Sequence, residues 1–257
     1  MTQNKTINLK RLFLFLKRYF FINKKTLSIA FGGISAAVVI ILMFAAYKTN
    51  SFNSDMLLST VLPIYFLGGL IFTSSSFKEL HDPKSAYSFL TFPISNLEKL
   101  TGLWLSTSVL FSIASIATIY IINILVSVLS SQLFDFQLQI GNIFVAELFQ
   151  KIGSYIVFQS IFLLGAIYYR KNNFLKTIMA MFVVFSIFAL LIGLTGRILF
   201  SDYMGAHDFN INSDNFPVDI QFTLKNTIPQ ILKFTYWYLL APFFLTVSYF
   251  KLKERQI

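Results

Sequence analysis

Residues 26–47 read TLSIAFGGISAAVVIILMFAAY, a run of 22 uncharged residues closed by Lys25 on one side and Lys48 on the other. A helix rises about 1.5 Å per residue and the hydrocarbon layer of a bilayer is about 30 Å thick, so roughly 20 such residues cross it. Measuring outward from charge to charge finds five further stretches. Asp55–Lys78 encloses 22 uncharged residues, Lys99–Asp135 encloses 35, and Lys151–Arg170 encloses 18. Lys176–Arg197 encloses 20 and Lys233–Lys251 encloses 17. Crossings are predicted at 28–47, 56–76, 99–127, 147–169, 176–199 and 231–250. The expected fold is all-α, a polytopic membrane protein of six transmembrane helices, and an even number of crossings puts both termini on one side.

The composition leads to the same class. Of 257 residues, 56% are hydrophobic, 31 are Phe and only 12% are charged, where a soluble domain is about a quarter charged. The mean hydropathy is +0.68. So little polar surface cannot wrap a water-soluble core, and disorder needs the opposite balance of low hydrophobicity and high charge. The absence of cysteine removes disulfide scaffolds, thiolate metal sites and thiol nucleophiles.

Sidedness follows from Lys and Arg, which accumulate in cytoplasmic flanks. With the N-terminus inside, the inner side collects 16 of the 21 basic residues. They are seven on the arm from Lys5 to Lys25, then Lys78, Lys84 and Lys99, then Arg170, Lys171 and Lys176, and finally Lys251, Lys253 and Arg255. The organisation read from this is a basic interfacial helix over 1–27, a six-helix domain over 28–250 and a cytoplasmic tail over 251–257. The net charge of +10 then reports topology and contact with membrane lipids, not nucleic acid. The first span begins only after a long basic arm, which reads as a retained helix and not a cleaved signal.

The arm carries basic pairs seven residues apart, Lys10-Arg11, Lys17-Arg18 and Lys24-Lys25. Seven residues make nearly two helical turns, so the pairs form one slowly drifting stripe. Leu12, Phe13, Leu16, Tyr19 and Phe20 fill the rest of the circumference. Such a segment is expected along the cytoplasmic headgroups with its cations snorkelling outward. In the first span Ser28, Gly32 and Ala36 recur every four residues, and Ala189 and Gly193 repeat the feature in the fifth. Small residues at that interval let helix backbones approach closely, either within the chain or between two copies.

The loop after the second span carries the densest signals, FKELHDPKSAYSFLTF over 77–92. Asp82 before Pro83 is a helix start, an N-cap followed by proline at the first helical position. A short helix against the cytoplasmic surface is predicted over the segment 78–92. Ser95 and Glu98 then form a capping box that starts the third span. Glu147 and Lys151, four apart, suit an ion pair at the outer interface. The 200–228 stretch, with Asp202, Asp208, Asp214 and Asp219 against Lys225, is expected to form an external cap. His207 among those aspartates reads as solvated and not as a metal site. Asn123 and Gln159 lie inside spans, where they either line a pathway or hydrogen-bond between helices.

Several chemistries are missing. No Gly-Lys dipeptide occurs, so the phosphate-cradling loop of ATP hydrolysis is absent and the chain is not expected to be an enzyme or to bind a cofactor of its own. No G-x-S-x-G or H-E-x-x-H pattern appears, and the only histidines are His81 and His207. The spans hold no Asp, Glu, Lys or Arg away from their ends, which argues against ion or proton coupling.

The order of elements resembles the bacterial type-2 ABC exporter permeases: a basic interfacial helix, two spans, a cytoplasmic helix, then four spans with a long last external loop. Leu90-Thr91-Phe92-Pro93-Ile94-Ser95-Asn96-Leu97-Glu98-Lys99 is similar to the L-P-hydrophobic-S-x-x-E stretch of that family, with Phe92 where leucine is commoner. The resemblance implies a multi-pass permease of the bacterial cell (inner) membrane that pairs with a second permease copy or a paralogue. Each half would sit on a separate ABC ATP-binding subunit that holds the ATP and Mg. It makes 78–92 the coupling helix, with Lys78, Glu79, Asp82, Lys84 and Tyr87 as contacts to that subunit. It also sets the first span of one protomer against the fifth of the other, through Ser28, Gly32, Ala36, Ala189 and Gly193. The alternative is a membrane-embedded binding or assembly subunit without transport of its own.

Overall fold

Asn8 opens the first helix by accepting from the backbone N–H groups of Lys10 (3.0 Å) and Arg11 (3.4 Å). No proline or competing cap follows until Asn50, whose left-handed backbone (φ 52°) ends the helix. In the computed structural model, which describes residues 8–134, 140–199 and 221–255, helix α1 therefore runs unbroken over Leu9–Thr49. The interfacial helix expected over 1–27 is not a separate element. From Leu9 onward it is the first turns of the spanning helix, because nothing near Lys25 supplies a stop.

Helix α2 (Ser54–Ser75) follows, capped by Asn53, whose side chain accepts from the Met56 N–H at 2.8 Å. A tight corner at Ser76–Phe77 leads to α3 (Lys78–His81) and α4 (Pro83–Thr91). Helix α5 (Asn96–Leu105) passes through a wide π-turn at Ser106–Leu110 into α6 (Phe111–Phe134). Then come α7 (Ala146–Tyr168) and α8 (Asn173–Leu199). The last crossing is α9 (Ile228–Phe234), flanked by π-turns at Thr223–Thr227 and Thr235–Leu239, and α10 (Leu240–Glu254). Six helical stretches are long and apolar enough to cross a membrane, as a multi-pass membrane protein requires, and the described residues contain no strand.

Two further boundaries differ from expectation. The loop predicted over 200–228 is already helical from Gln221. The wide turn over Thr223–Thr227 accommodates Pro229, whose ring would otherwise meet the carbonyl four residues earlier. The aspartates and His207 expected in that loop lie outside the described residues. The tail predicted from residue 251 is also helical through Glu254, with Leu252 fully buried.

Two apolar clusters hold the bundle. One runs along the spans and joins Val38, Leu42 and Ala46 of α1 to Leu57, Val61 and Tyr65 of α2, Ile119 and Val126 of α6, and Tyr155 of α7. The other sits at the α3–α4 end, where Phe15 and Tyr19 meet Phe77, Leu80, Phe89, Leu100, Leu163 and Leu252. Gly102 lets α5 approach α1 there, since a Cβ on it would sit 2.9 Å from the Phe15 ring. Helix α8 packs on the bundle near its start, through Phe174 against Phe162 (5.5 Å between rings) and Thr177 against Gly165. Beyond Met181 its large apolar side chains, such as Phe182 and Ile192, are exposed.

Candidate functional site

The seven-residue spacing of the basic pairs has a structural use that the sequence does not reveal. Arg11 and Arg18 point the same way from α1, and each meets a glutamate from elsewhere. Arg11 lies 3.0 Å from Glu98, and Arg18 lies 3.2 Å from Glu79. These two cations thus brace the fold from within. Glu98 is fully buried. Its Oε2 accepts from the Ser95 N–H at 2.8 Å, closing the predicted capping box, while its Oε1 accepts from the Asn8 N–H at 2.8 Å. One carboxylate therefore ties the start of α5 to the start of α1.

A second brace secures the other side of the helix pair. Arg255 donates to His81 Nδ1 (2.9 Å) and to the Tyr168 carbonyl (2.9 Å). Arginine has no acceptor, so Nδ1 must accept, the proton resides on Nε2, and Nε2 donates to the Ala166 carbonyl at 2.7 Å. His81 ends α3, beyond the apolar run of α2, and is held neutral there. Burial lowers its pKa, the hydrogen bond to Ala166 opposes the shift, and the nearby Arg255 and Arg170 reinforce it. Helices α3 and α4 are therefore pinned to α1 through Glu79, and to α7 and the end of α10 through His81.

The residues expected to contact an ATPase divide in two. Glu79 is engaged by Arg18, and Asp82 is the N-cap of α4, accepting from the Lys84 N–H (3.2 Å) and the Ser85 hydroxyl (3.1 Å). Lys78, Lys84 and Tyr87 face outward, and Tyr87 is 78% exposed. Beside them lies a basic hollow lined by Leu80, His81, Pro83, Ala86, Arg170 and Arg255.

Asn123 and Gln159 are fully buried and bonded to protein. Asn123 Nδ2 donates to the Gly141 carbonyl (2.9 Å), and Gln159 Nε2 donates to Thr107 Oγ1 (2.5 Å). Tyr155 donates to the Thr107 carbonyl at 2.6 Å, so the π-turn at Ser106–Leu110 is where α7 grips the third crossing. Neither amide borders a described cavity: Gln159 bonds α7 to the third crossing, and Asn123 ties α6 to the non-helical segment that precedes α7. Glu147 and Lys151 form no ion pair among the described residues. Lys151 instead borders a small void with Ser112, Ser115 and Tyr155.

Ser28, Gly32, Ala36, Ala189 and Gly193 all lie on open faces. A Cβ on Gly32 or Gly193 would meet nothing within 4 Å. Among the described residues, neither glycine has a neighbour of the same chain packed against it.

The main cavity lies between α1 and α2 and encloses about 590 Å³. Its mouth is polar, with Arg18, Asn23, Ser76, Lys78, Glu79 and Asp82, and its far end is apolar, with Phe31, Ile34, Tyr65 and Phe111. Sequence reading missed Arg18, Ser76, His81 and Arg255 as parts of this region. The heptad stripe placed Arg18 on a face but could not say what that face meets. Compared with known proteins, the chain matches no family model, no curated protein and no solved structure.

Proposed function

We propose that the chain is the transmembrane permease subunit of an ABC exporter. In this reading it carries an amphiphilic, lipid-like or peptide cargo across the bacterial cell membrane by alternating access, driven by ATP and Mg in a separate ATPase subunit. The reading starts from the resemblance in the order of the spans and the short helices between the second and third, and in the 90–99 stretch. The observation that carries it furthest is mechanical. Helices α3 and α4 present Lys78, Lys84 and Tyr87 outward while Glu79 and His81 lock them to α1, α7 and the end of α10. A push on the exposed side of this pair reaches the first and last crossings through charged hydrogen bonds, which is what rigid-body rocking of spans requires. Motion supplied from outside also suits a chain without a phosphate-binding loop.

The test is co-purification from the native membrane in mild detergent. An ATPase subunit is expected to travel with the chain. Replacing Lys78, Lys84 and Tyr87 together by Ala should reduce its recovery at least tenfold, while Glu147→Gln at the other end of α7 leaves recovery unchanged. A chain that purifies with no ATPase partner and retains its cellular role in the triple variant would sink the proposal and favour a binding or assembly subunit.

A further inference from the structure

The basic hollow beside α3–α4 holds more positive charge than the fold uses. Arg170, in the bend after α7, is exposed, and Arg255 closes the last helix. Among the described residues neither guanidinium meets a carboxylate. Of the five N–H groups a guanidinium carries, Arg255 spends one on His81 and one on the Tyr168 carbonyl. Arg170 spends none on the described protein. The acids nearest in sequence are engaged elsewhere: Asp82 caps α4 and does not line this hollow, and Glu254 pairs with Lys251 at 2.7 Å. Burial and the Arg170 charge hold the Arg255 pKa below its usual value, so an anion shared by the two cations would relieve both.

The space suits a ligand. The hollow measures about 480 Å³, within the roughly 300–1,000 Å³ of sites that take one small molecule. Leu80, Pro83 and Ala86 supply its apolar wall. Its level in the molecule indicates which anion it meets. The apolar run of α7 ends at Tyr168 and that of α10 at Phe250, and both rings are more than half exposed (55% and 56%). Arg170 and Arg255 stand just beyond, where crossing helices leave the hydrocarbon layer and lipid phosphates begin. The surrounding cations mark the same level. Lys251 holds its ammonium over the Tyr168 ring (5.6 Å), and Lys176 holds its own over Tyr169 (5.8 Å). Tyrosines with snorkelling lysines are the side chains of a membrane–water interface.

We infer that this hollow binds one anionic phospholipid, with its phosphate shared by Arg170 and Arg255 and an acyl chain running back past the exposed Tyr168 ring. Arginine pairs with phosphate through two parallel N–H bonds, and basic pockets between spanning helices at this level are suited to such heads. A head that carries its own ammonium finds no carboxylate in the lining and meets two like charges, so the site selects net-negative lipids over zwitterionic ones. The inference rests on the membrane reading and not on the permease proposal.

Native mass spectrometry of the full chain in detergent tests this, with dioleoyl lipids bearing phosphoglycerol or phosphocholine heads as probes. The phosphoglycerol lipid is expected to bind about tenfold more tightly. Arg170→Gln removes a cation that bonds to no described part of the fold, and should cut that preference about fivefold. Lys253→Gln, an equal loss of charge at an exposed position outside the hollow, should leave it nearly intact. Ala86→Trp fills the hollow without changing charge, and should abolish the preference while the helical melting profile is preserved. Equal binding of the two heads would overturn the site. So would Lys253→Gln matching Arg170→Gln, which would reduce the effect to diffuse surface charge. Displacement of the lipid by glycerol 3-phosphate or by an oligo-glutamate peptide would give the hollow to a soluble phosphate or a protein carboxylate instead. No ATPase enters these measurements, so their failure leaves the partner-driven proposal standing, and the reverse also holds.

Discussion

A carboxylate with no exposed surface needs partners, because removing a lone charge from water costs several kcal/mol. Glu98 has three, the Ser95 and Asn8 N–H groups and the Arg11 guanidinium. The first was legible, since Ser and Glu three residues apart before an apolar run mark a helix start. The other two were not, because Asn8 and Arg11 are about ninety residues away and no local pattern announces such a meeting. The difference has a measurable consequence. A capping box alone is worth about 1 kcal/mol, whereas Glu98→Ala here opens two helix starts and leaves Arg11 facing an emptied site, for an expected loss on the order of 3 kcal/mol. Arg11→Ala should cost less, about 1 kcal/mol, because its side chain is 36% exposed and its pairing is partly screened. Unfolding of the purified variants in detergent reads both. Equal small losses would mean that Glu98 serves only its own helix.

At the scale of elements, the sequence was most informative where a chemical stop or start exists and least where none does. Asp82-Pro83 and Ser95–Glu98 begin helices where read, because caps and proline act on their nearest neighbours. The boundary expected near residue 27 rested on a change of composition from basic to apolar, and composition does not end a helix; α1 passes straight through it. The distinction can be tested with Thr26→Pro, at an exposed position. Inside a continuous helix the substitution removes a hydrogen bond and collides with the preceding turn, at a cost of about 3 kcal/mol. At a joint between an interfacial helix and a span it would be nearly neutral. A large loss in detergent unfolding is expected, along with weakened docking of α3–α4, since Arg18 would no longer be held in line with the rest of α1.

At the scale of the whole molecule, the question is what lies against the open faces of α1 and α8. In lipid there is no hydrophobic drive to bury apolar side chains, so the exposed Phe182 or Ile192 needs no protein cover. Small residues are different, because their value is close backbone approach, and close approach needs a second helix. Among the described residues Gly32 and Gly193 approach nothing within the chain. The spacing of Ser28, Gly32 and Ala36 was readable from sequence, but choosing between intrachain and intermolecular packing required the position of every neighbouring helix. The proposed pairing of α1 in one copy with α8 in another makes a definite prediction. A chain carrying Gly32→Cys, expressed with a differently tagged chain carrying Gly193→Cys, should form a disulfide-linked pair in native membranes, since linkage needs Cα atoms within about 7 Å. Ala30→Cys paired with Gly193→Cys should not link, because Ala30 faces the cleft. Replacing both glycines by Leu should shift the detergent-solubilised protein toward monomer. Absence of the first link, with mobility unchanged in the double Leu variant, would assign both faces to lipid and remove the pairing on which alternating access between two halves depends.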